Sequence, residues 1–152
     1  MKKAKKHVLD ITDPGNWENI DMRMRDLLVE KGHTIRLPTD YQFRNDTIRR
    51  HFSHAFYTRV MDNKEKQDRR WLVYSKSLDK AFCFCCKLFR HDQKSIQLGT
   101  TGHDDWRNLS KRLKKHEKSN DHIICMTRWT ELEVRLKKAQ TIDKYAEEEI
   151  RK

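Results

Sequence analysis

Apolar residues in the first third of the chain recur with the period of an α-helix. The stretch NWENIDMRMRDLLVEKG, which begins at residue 16, would place on one helical face Trp17, Ile20, Met24, Leu27 and Leu28. Asn16 is a suitable N-cap, and Gly32 suits a helix end. The pattern predicts a helix after the turn sequence DPGNW, and then a mostly irregular segment over residues 33–51.

The middle of the chain changes to the two-residue alternation that is typical of β-strands. The run HFSHAFYTRVM, which begins at His51, is rich in aromatic residues and predicts a strand. The next run, WLVYSKSLDKAFCFCC, holds two β-prone segments on either side of the polar turn SKSLDK. This arrangement predicts a β-hairpin that ends in a cluster of cysteines.

Helical spacing returns in the last third of the chain. Leu109, Leu113 and His116 would share one face of a helix that ends near the sequence SNDH. Ser119 can cap a second helix, along which apolar residues recur at Trp129, Leu132, Leu136 and Ala139. The order of elements predicts an α+β fold. We expect a small zinc-stabilised ββα-type finger with an N-terminal helical extension and a C-terminal helix.

Composition explains why such a fold needs a metal. The 152 residues are enough for about one domain, but only 36% are hydrophobic and 38% are charged. A core this thin needs an additional constraint. The net charge of +11 favours polyanionic partners such as nucleic acid. No apolar run reaches the roughly 20 residues of a membrane helix, and no signal peptide is recognisable. We therefore expect a reducing, nuclear environment and no membrane association.

Four residues in the hairpin and the helices have the spacing of a zinc site. Cys83 and Cys86 form a C-x-x-C pair, and His116 and His122 follow about thirty residues later. Zinc favours four tetrahedral sulfur and nitrogen ligands, and a cysteine pair on a hairpin with histidines on a helix follows the ββα arrangement. We expect structural Zn²⁺ at these residues. Cys85 alternates with its neighbours and is expected to face away as a buried hydrophobic residue.

Other assignments of the cysteines and histidines stay open at this point. A C-x-x-C pair also occurs in thioredoxin-like redox proteins, although those have a βαβ context that this sequence lacks. Cys125 or His103 could replace His122 as the fourth ligand. His91 is a further loop histidine of lower rank.

The same residues resemble a known family. The motif residues are Trp71, Leu72 and Tyr74; Cys83, Phe84, Cys86, Lys87, Leu88 and Phe89; Gly102, Asp105 and Trp106; and His116, Glu117, Ser119 and His122. This pattern closely resembles the TTF-type zinc finger of hAT-family transposases and of transposase-derived, MYM-type zinc-finger-like proteins. The resemblance implies a zinc-binding DNA-binding module.

The resemblance also suggests how the chain is divided. We expect a flexible basic arm over residues 1–13, the zinc finger domain with its N-terminal extension over 14–127, and a helical linker over 128–152. In the family, this linker leads into an RNase-H-like catalytic region. We expect that region to be absent here, so the chain should be neither an enzyme nor a binder of small-molecule substrates.

Basic residues around the predicted zinc site are the candidates for contact with DNA phosphates. They are Arg69, Arg70, Lys87, Arg90, Arg107, Lys111, Arg112, Lys114 and Lys115. The competing hypothesis is a protein-interaction module, with a protein partner or a second copy bound through the Trp-Leu-Leu stripe of the C-terminal helix. Stacking on bases is one possible use of Trp71, Phe84, Phe89 and Trp106, but we expect them in the core, because a small zinc domain needs every large apolar side chain there.

Overall fold

The structure is a computed structural model that describes residues 10–17, 20–31, 36–90 and 97–151. Within these residues there are four α-helices, namely α1 (Met22–Lys31), α2 (Phe84–Phe89), α3 (Leu109–Glu117) and α4 (Asn120–Ile150). Four strands form two separate antiparallel pairs, β1 (Thr58–Val60) with β2 (Lys66–Asp68) and β3 (Leu72–Ser75) with β4 (Lys80–Cys83). Short 3-10 helices lie at Pro14–Asn16, His54–Tyr57 and Gln97–Gly99. This is the small α+β domain that the sequence predicts.

The N-terminal helix begins later than its hydrophobic pattern indicates. A 3-10 turn occupies Pro14–Asn16, and the indole of Trp17 donates to the Ile11 carbonyl at 2.7 Å. α1 starts at Met22, and the Asp21 carboxylate accepts a hydrogen bond from the backbone N–H of Met24 at 2.8 Å. Asp21 therefore does the capping that was expected of Asn16. The expected stop at Gly32 lies outside the described residues.

Hydrogen bonds to the Asp13 carboxylate link the N-terminal turn to the turn between β3 and β4. Its carboxylate accepts from the Ser75 hydroxyl at 2.6 Å and from the backbone N–H of Ser77 at 3.0 Å. Burial raises the pKa of Asp13, but these hydrogen bonds and one from Gly15 outweigh it and hold the pKa below the ordinary 3.8. The segment before α1 is thus packed onto the hairpin.

The strand predicted from His51 onward is only partly present. Residues His54–Tyr57 form a 3-10 turn, in which the Ser53 hydroxyl accepts from the Ala55 N–H at 3.2 Å. Within this run, Thr58–Val60 is the part that forms a strand, and it pairs with Lys66–Asp68. Phe52 is fully buried among other aromatic rings, so burial of its side chain rather than strand alternation explains the apolar pattern here.

The predicted β-hairpin is confirmed. β3 and β4 pair in the register Leu72 to Cys83 and Ser75 to Lys80, around a turn in which Asp79 has a positive φ of 53°. The extended chain ends at Cys83, however, and α2 begins at the next residue. The cysteines therefore lie at a strand-to-helix junction rather than along a strand.

The two C-terminal helices follow the predicted pattern. Leu109 and Leu113 of α3 are completely buried, and the Ser119 hydroxyl caps α4 by accepting from the His122 N–H at 3.3 Å. α4 is one uninterrupted helix of 31 residues, so no break occurs between residues 127 and 128. Trp129 and Leu132 are buried in the domain core. In the described part of the chain, no helix is both long and apolar enough to cross a membrane.

Candidate zinc centre

Three elements bring soft metal ligands together at one end of the β3–β4 hairpin. Cys83 ends β4, and Cys85 and Cys86 lie in the first turn of α2. His122 lies in the first turn of α4. The junction is fixed because the backbone N–H of Phe84 donates to the carbonyl of Trp71, the residue just before β3, at 2.7 Å.

The donor atoms have the spacing that a tetrahedral zinc site requires. The Sγ atoms of Cys83, Cys85 and Cys86 and Nδ1 of His122 all lie within 4.8 Å of one another, and all four side chains are buried. Nδ1 of His122 is 3.4 Å from the Cys83 sulfur and 3.8 Å from the Cys86 sulfur. A tetrahedron with ordinary zinc bond lengths has edges of about 3.6 Å for sulfur to nitrogen and about 3.8 Å for sulfur to sulfur. These buried residues form a zinc-binding site.

The prediction that Cys85 faces away from the site is wrong. Its Sγ is 3.5 Å from the Cys83 sulfur and 3.9 Å from Nδ1 of His122. The physical reason is the switch to helix at Phe84, because strand alternation no longer determines where the next side chains point. No signal in the hydrophobic pattern marks this switch, since the mostly apolar run AFCFCCKLF is compatible with either a strand or a helix.

Two further donors border the four-atom cluster. Nε2 of His116, in the last turn of α3, is 3.4 Å from the Cys86 sulfur, and the rings of His116 and His122 are 4.6 Å apart between centroids. His116 is nevertheless not one of the four residues whose donor atoms all lie within 4.8 Å of one another. Cys125, on the next turn of α4 from His122, is buried and hydrogen-bonded to the Cys86 thiol.

The other predicted alternatives do not reach the cluster or lie outside the structure. Both ring nitrogens of His103 are engaged, one 3.0 Å from the Gln97 amide oxygen and the other 3.1 Å from the Asp105 carbonyl. Burial lowers the pKa of His103. His91 lies outside the described residues.

The thiols of the site differ in acidity for physical reasons. Burial raises the pKa of Cys83 and of Cys85, because a charged thiolate loses hydration there. Hydrogen bonds from Cys125, then Cys83 and Cys85, lower the pKa of Cys86 instead. Zinc binds the thiolate form of cysteine, so binding of Zn²⁺ to protonated thiols of this cluster must release protons.

A buried ion pair lies at the end of α3, next to His116. The guanidinium of Arg69 pairs with both carboxylate oxygens of Glu117 at 3.1 and 3.2 Å, and each side chain is only 4% exposed. Arg69 also donates to the carbonyl of Phe56 at 2.9 Å. It thus joins the segment before β1 to the end of α3, next to His116. We therefore withdraw Arg69 from the residues expected to contact phosphate.

The other predicted basic residues divide into engaged and exposed groups. Arg70 pairs with Glu133 at 2.5 Å, and its guanidinium lies 3.8 Å from the ring centroid of Trp129. The amine of Lys87 lies 4.3 Å from the ring centroid of Phe82. The remaining residues are exposed at the surface, namely Arg90, Arg107, Lys111, Arg112, Lys114 and Lys115. The four candidate stacking aromatics, Trp71, Phe84, Phe89 and Trp106, are buried in the core.

The fold and the site define a small zinc-stabilised α+β domain with a Cys₃His cluster. In sequence the chain is similar to zinc finger MYM-type protein 5 of Homo sapiens, with 39% identity over 132 residues, and to that of Mus musculus, with 36% identity over 127 residues. The matched regions cover 86% and 82% of this chain but only 19% and 20% of those proteins. The chain thus spans about a fifth of the length of these relatives. No family model and no solved structure matches it.

Proposed function

We propose that this chain is a DNA-binding module of transposase origin, held together by structural zinc and without catalytic activity of its own. The observation that carries the proposal is the position of α3. One face of this helix brings His116 to the zinc cluster, while Lys111 and Lys115 are exposed on the other side of the helix and Arg112 is exposed at its edge. The metal would thereby fix the orientation of a basic helix.

The structure gathers Cys83, Cys85, Cys86 and His122. We propose that His116 replaces Cys85 in the metal-bound state, so that the four ligands are Cys83, Cys86, His116 and His122. The distance of 3.4 Å between Nε2 of His116 and the Cys86 sulfur is close to one edge of a zinc tetrahedron. Two thiolates and two neutral imidazoles balance the charge of Zn²⁺, whereas a third thiolate would leave a net negative charge in a buried site. Cys85 would then stay protonated beside the metal.

Matched variants separate the two possible fourth ligands. Cys85→Ala should keep one zinc ion per chain, whereas His116→Ala should lose it or bind it much more weakly. Metal content is measured by native mass spectrometry, and the number of coordinating thiolates from the charge-transfer absorption of the Co²⁺-substituted protein. Retention of the metal in His116→Ala and its loss in Cys85→Ala would instead make Cys85 the fourth ligand.

The exposed face of α3 has a suitable size and charge for a DNA groove. Its nine residues are about 14 Å long, and the major groove is about 12 Å wide. Lys111 and Lys115 lie one turn apart, which suits neighbouring phosphates. Arg112 lies to one side of them, and all three residues line an open depression beside His103. From this position Arg112 could reach a base edge. Arg90 and Arg107 are exposed and would add further phosphate contacts.

The test is the salt dependence of binding to duplex DNA, measured by fluorescence anisotropy with the zinc-loaded chain. Replacing Lys115 by Ala should lower the log–log salt slope by about 0.9, which corresponds to one phosphate contact. Lys144→Ala, an exposed lysine near the far end of α4, is the control and should leave the slope nearly unchanged. Equal effects of the two variants would show that α3 is not the binding element.

A second candidate function, protein interaction, is favoured by a specific feature. An open groove of about 870 Å³ runs between the β1–β2 pair and α4, next to His122. Ile123 and Val134 line it and are 52% and 47% exposed. Binding of a protein partner that is insensitive to salt, in the absence of affinity for DNA, would support this function over the first. Either function is consistent with the nuclear location that we propose, which imaging of the tagged chain in cells would test.

A further inference from the structure

All four cysteines of the chain are buried and lie in or beside the zinc cluster. The sulfur of Cys86 is next to four candidate zinc ligands, namely Cys83, Cys85, His116 and His122. A fifth neighbour is Cys125, which is 2% exposed and hydrogen-bonded to Cys86. Cys125 belongs to neither candidate ligand set, so a thiol in direct contact with the site is left without a role.

The position of Cys125 follows from the way in which α4 packs. The buried residues of this helix are His122, Cys125, Trp129 and Leu132, which recur every three or four residues and therefore form one stripe. The Trp-Leu-Leu stripe that was expected to bind a partner is thus used within the chain, since Trp129 and Leu132 are buried. Because α4 packs against α2, the same stripe brings Cys125 to Cys86 one turn after His122 reaches the cluster.

The geometry suits Cys125 as a hydrogen-bond donor to the site rather than as a ligand. Its sulfur is not among the four donor atoms that all lie within 4.8 Å of one another, and structural zinc takes only four ligands. A zinc-bound thiolate still accepts hydrogen bonds, and the buried sulfur of Cys86 must find its donors within the protein. A thiol is a weak donor, but a hydrogen bond to a charged acceptor is roughly twice as strong as one between neutral groups.

We infer that Cys125 is a positioning residue for the zinc site, and that its S–H group donates a hydrogen bond to the zinc-bound thiolate of Cys86. This bond holds the Cys86 sulfur in place and offsets part of the negative charge that the thiolate brings into a buried site. It also strengthens the link between α4 and the metal, because His122 acts as a ligand and Cys125 acts through Cys86 on the next turn. The inference holds for both candidate ligand sets and does not depend on the proposed DNA binding.

Two variants of Cys125 distinguish a hydrogen bond from simple packing. Cys125→Ser keeps a donor in a side chain of similar shape, whereas Cys125→Ala removes the donor. Zinc affinity is measured by competition with a chromophoric chelator. Cys125→Ala should bind zinc about tenfold more weakly, as is usual when a metal ligand loses its hydrogen-bond partner, and Cys125→Ser should recover most of that loss. A serine that is no better than alanine would overturn the inference, because a hydroxyl without a partner is costly to bury.

The Co²⁺-substituted protein provides a readout that packing alone would not change. A hydrogen bond stabilises the sulfur electrons of a thiolate, so its loss should move the sulfur-to-cobalt charge-transfer band to longer wavelength. We expect this shift in Cys125→Ala and a band near the wild-type position in Cys125→Ser. The control is Leu132→Ala, in the same buried stripe about two turns further along α4, which should destabilise the fold without moving the band.

Two results with the cobalt protein would contradict this role of Cys125. A band at the wild-type wavelength in Cys125→Ala would show that the thiol makes no hydrogen bond to a bound thiolate. A band that loses the intensity of one thiolate in Cys125→Ala would show that Cys125 is itself a ligand.

Discussion

Breaking the buried ion pair between Arg69 and Glu117 should cost far more stability than breaking a pair at the surface of the protein. Both side chains are 4% exposed, and Glu117 also accepts from the partly exposed Arg59 at 3.2 Å. Replacing Arg69 by Met leaves the Glu117 carboxylate buried with only that second partner. It also removes the donor to the Phe56 carbonyl. Breaking one partner of a buried pair typically costs about 3–5 kcal/mol.

The pair between Arg36 and Asp68 provides an internal comparison. Its two groups are 2.7 Å apart and doubly hydrogen-bonded, but the side chains are 31% and 55% exposed. Solvent screens such a pair, so Asp68→Asn should cost no more than about 1 kcal/mol. Geometry alone would rank the two pairs as similar, whereas burial predicts a difference of at least about 2 kcal/mol.

Urea denaturation of the zinc-loaded proteins, followed by tryptophan fluorescence, measures both free energies of unfolding. A domain of this kind has a total stability of about 5–15 kcal/mol, so Arg69→Met should remove a large part of it. The double variant Arg69→Met with Glu117→Leu should recover part of the loss, because no unpaired charge remains buried. Equal losses for Arg69→Met and Asp68→Asn would refute the reasoning from burial.

Three further predictions concern the rest of the fold. Leu113→Ala should lower the free energy of unfolding by about 2–5 kcal/mol in urea denaturation, because Leu113 is completely buried, whereas Lys114→Ala at the next, exposed position should have little effect. Gly102→Ala should destabilise the protein by more than about 1 kcal/mol in the same assay, since Gly102 has a φ of +82° and an added Cβ would lie 2.7 Å from the Phe82 ring. Because hydrogen bonds hold the pKa of folded Asp13 below 3.8, the stability it adds is complete above that ordinary value and is lost as the pH falls through the folded pKa. Asp13→Asn should therefore be less stable than wild type above about pH 5, and the difference should shrink in acid; a difference that is independent of pH would contradict this assignment.

The elements and the approximate place of the metal site could be predicted from the sequence, because their signals are local. Leu109, Leu113 and His116 lie on one face of α3 at the expected period. The hairpin was recognisable from its two β-prone runs around a polar turn. Cys83, Cys86 and His122 were recognised from their spacing, and the structure brings them together.

The rest depended on interactions between distant residues. The position of the Cys85 sulfur within the cluster follows from the change from strand to helix at Phe84, which the apolar sequence does not mark. Arg69 was expected to contact phosphate because a single sequence does not show that Glu117, 48 residues later, would pair with it. The start of α1 at Met22 likewise follows from the packing of Trp17 and Asp13 onto other segments, which overrides a continuous helical pattern.

The central claim is that one zinc ion at the cysteine–histidine cluster holds this domain together. Native mass spectrometry of the purified chain, before and after treatment with a chelator, tests it most directly when it is paired with circular dichroism of the same samples. We predict one zinc ion per chain before treatment, and loss of the folded structure over residues 71–122 when the ion is removed. A chain that carries no zinc, or one that keeps its native spectrum after losing it, would contradict the account.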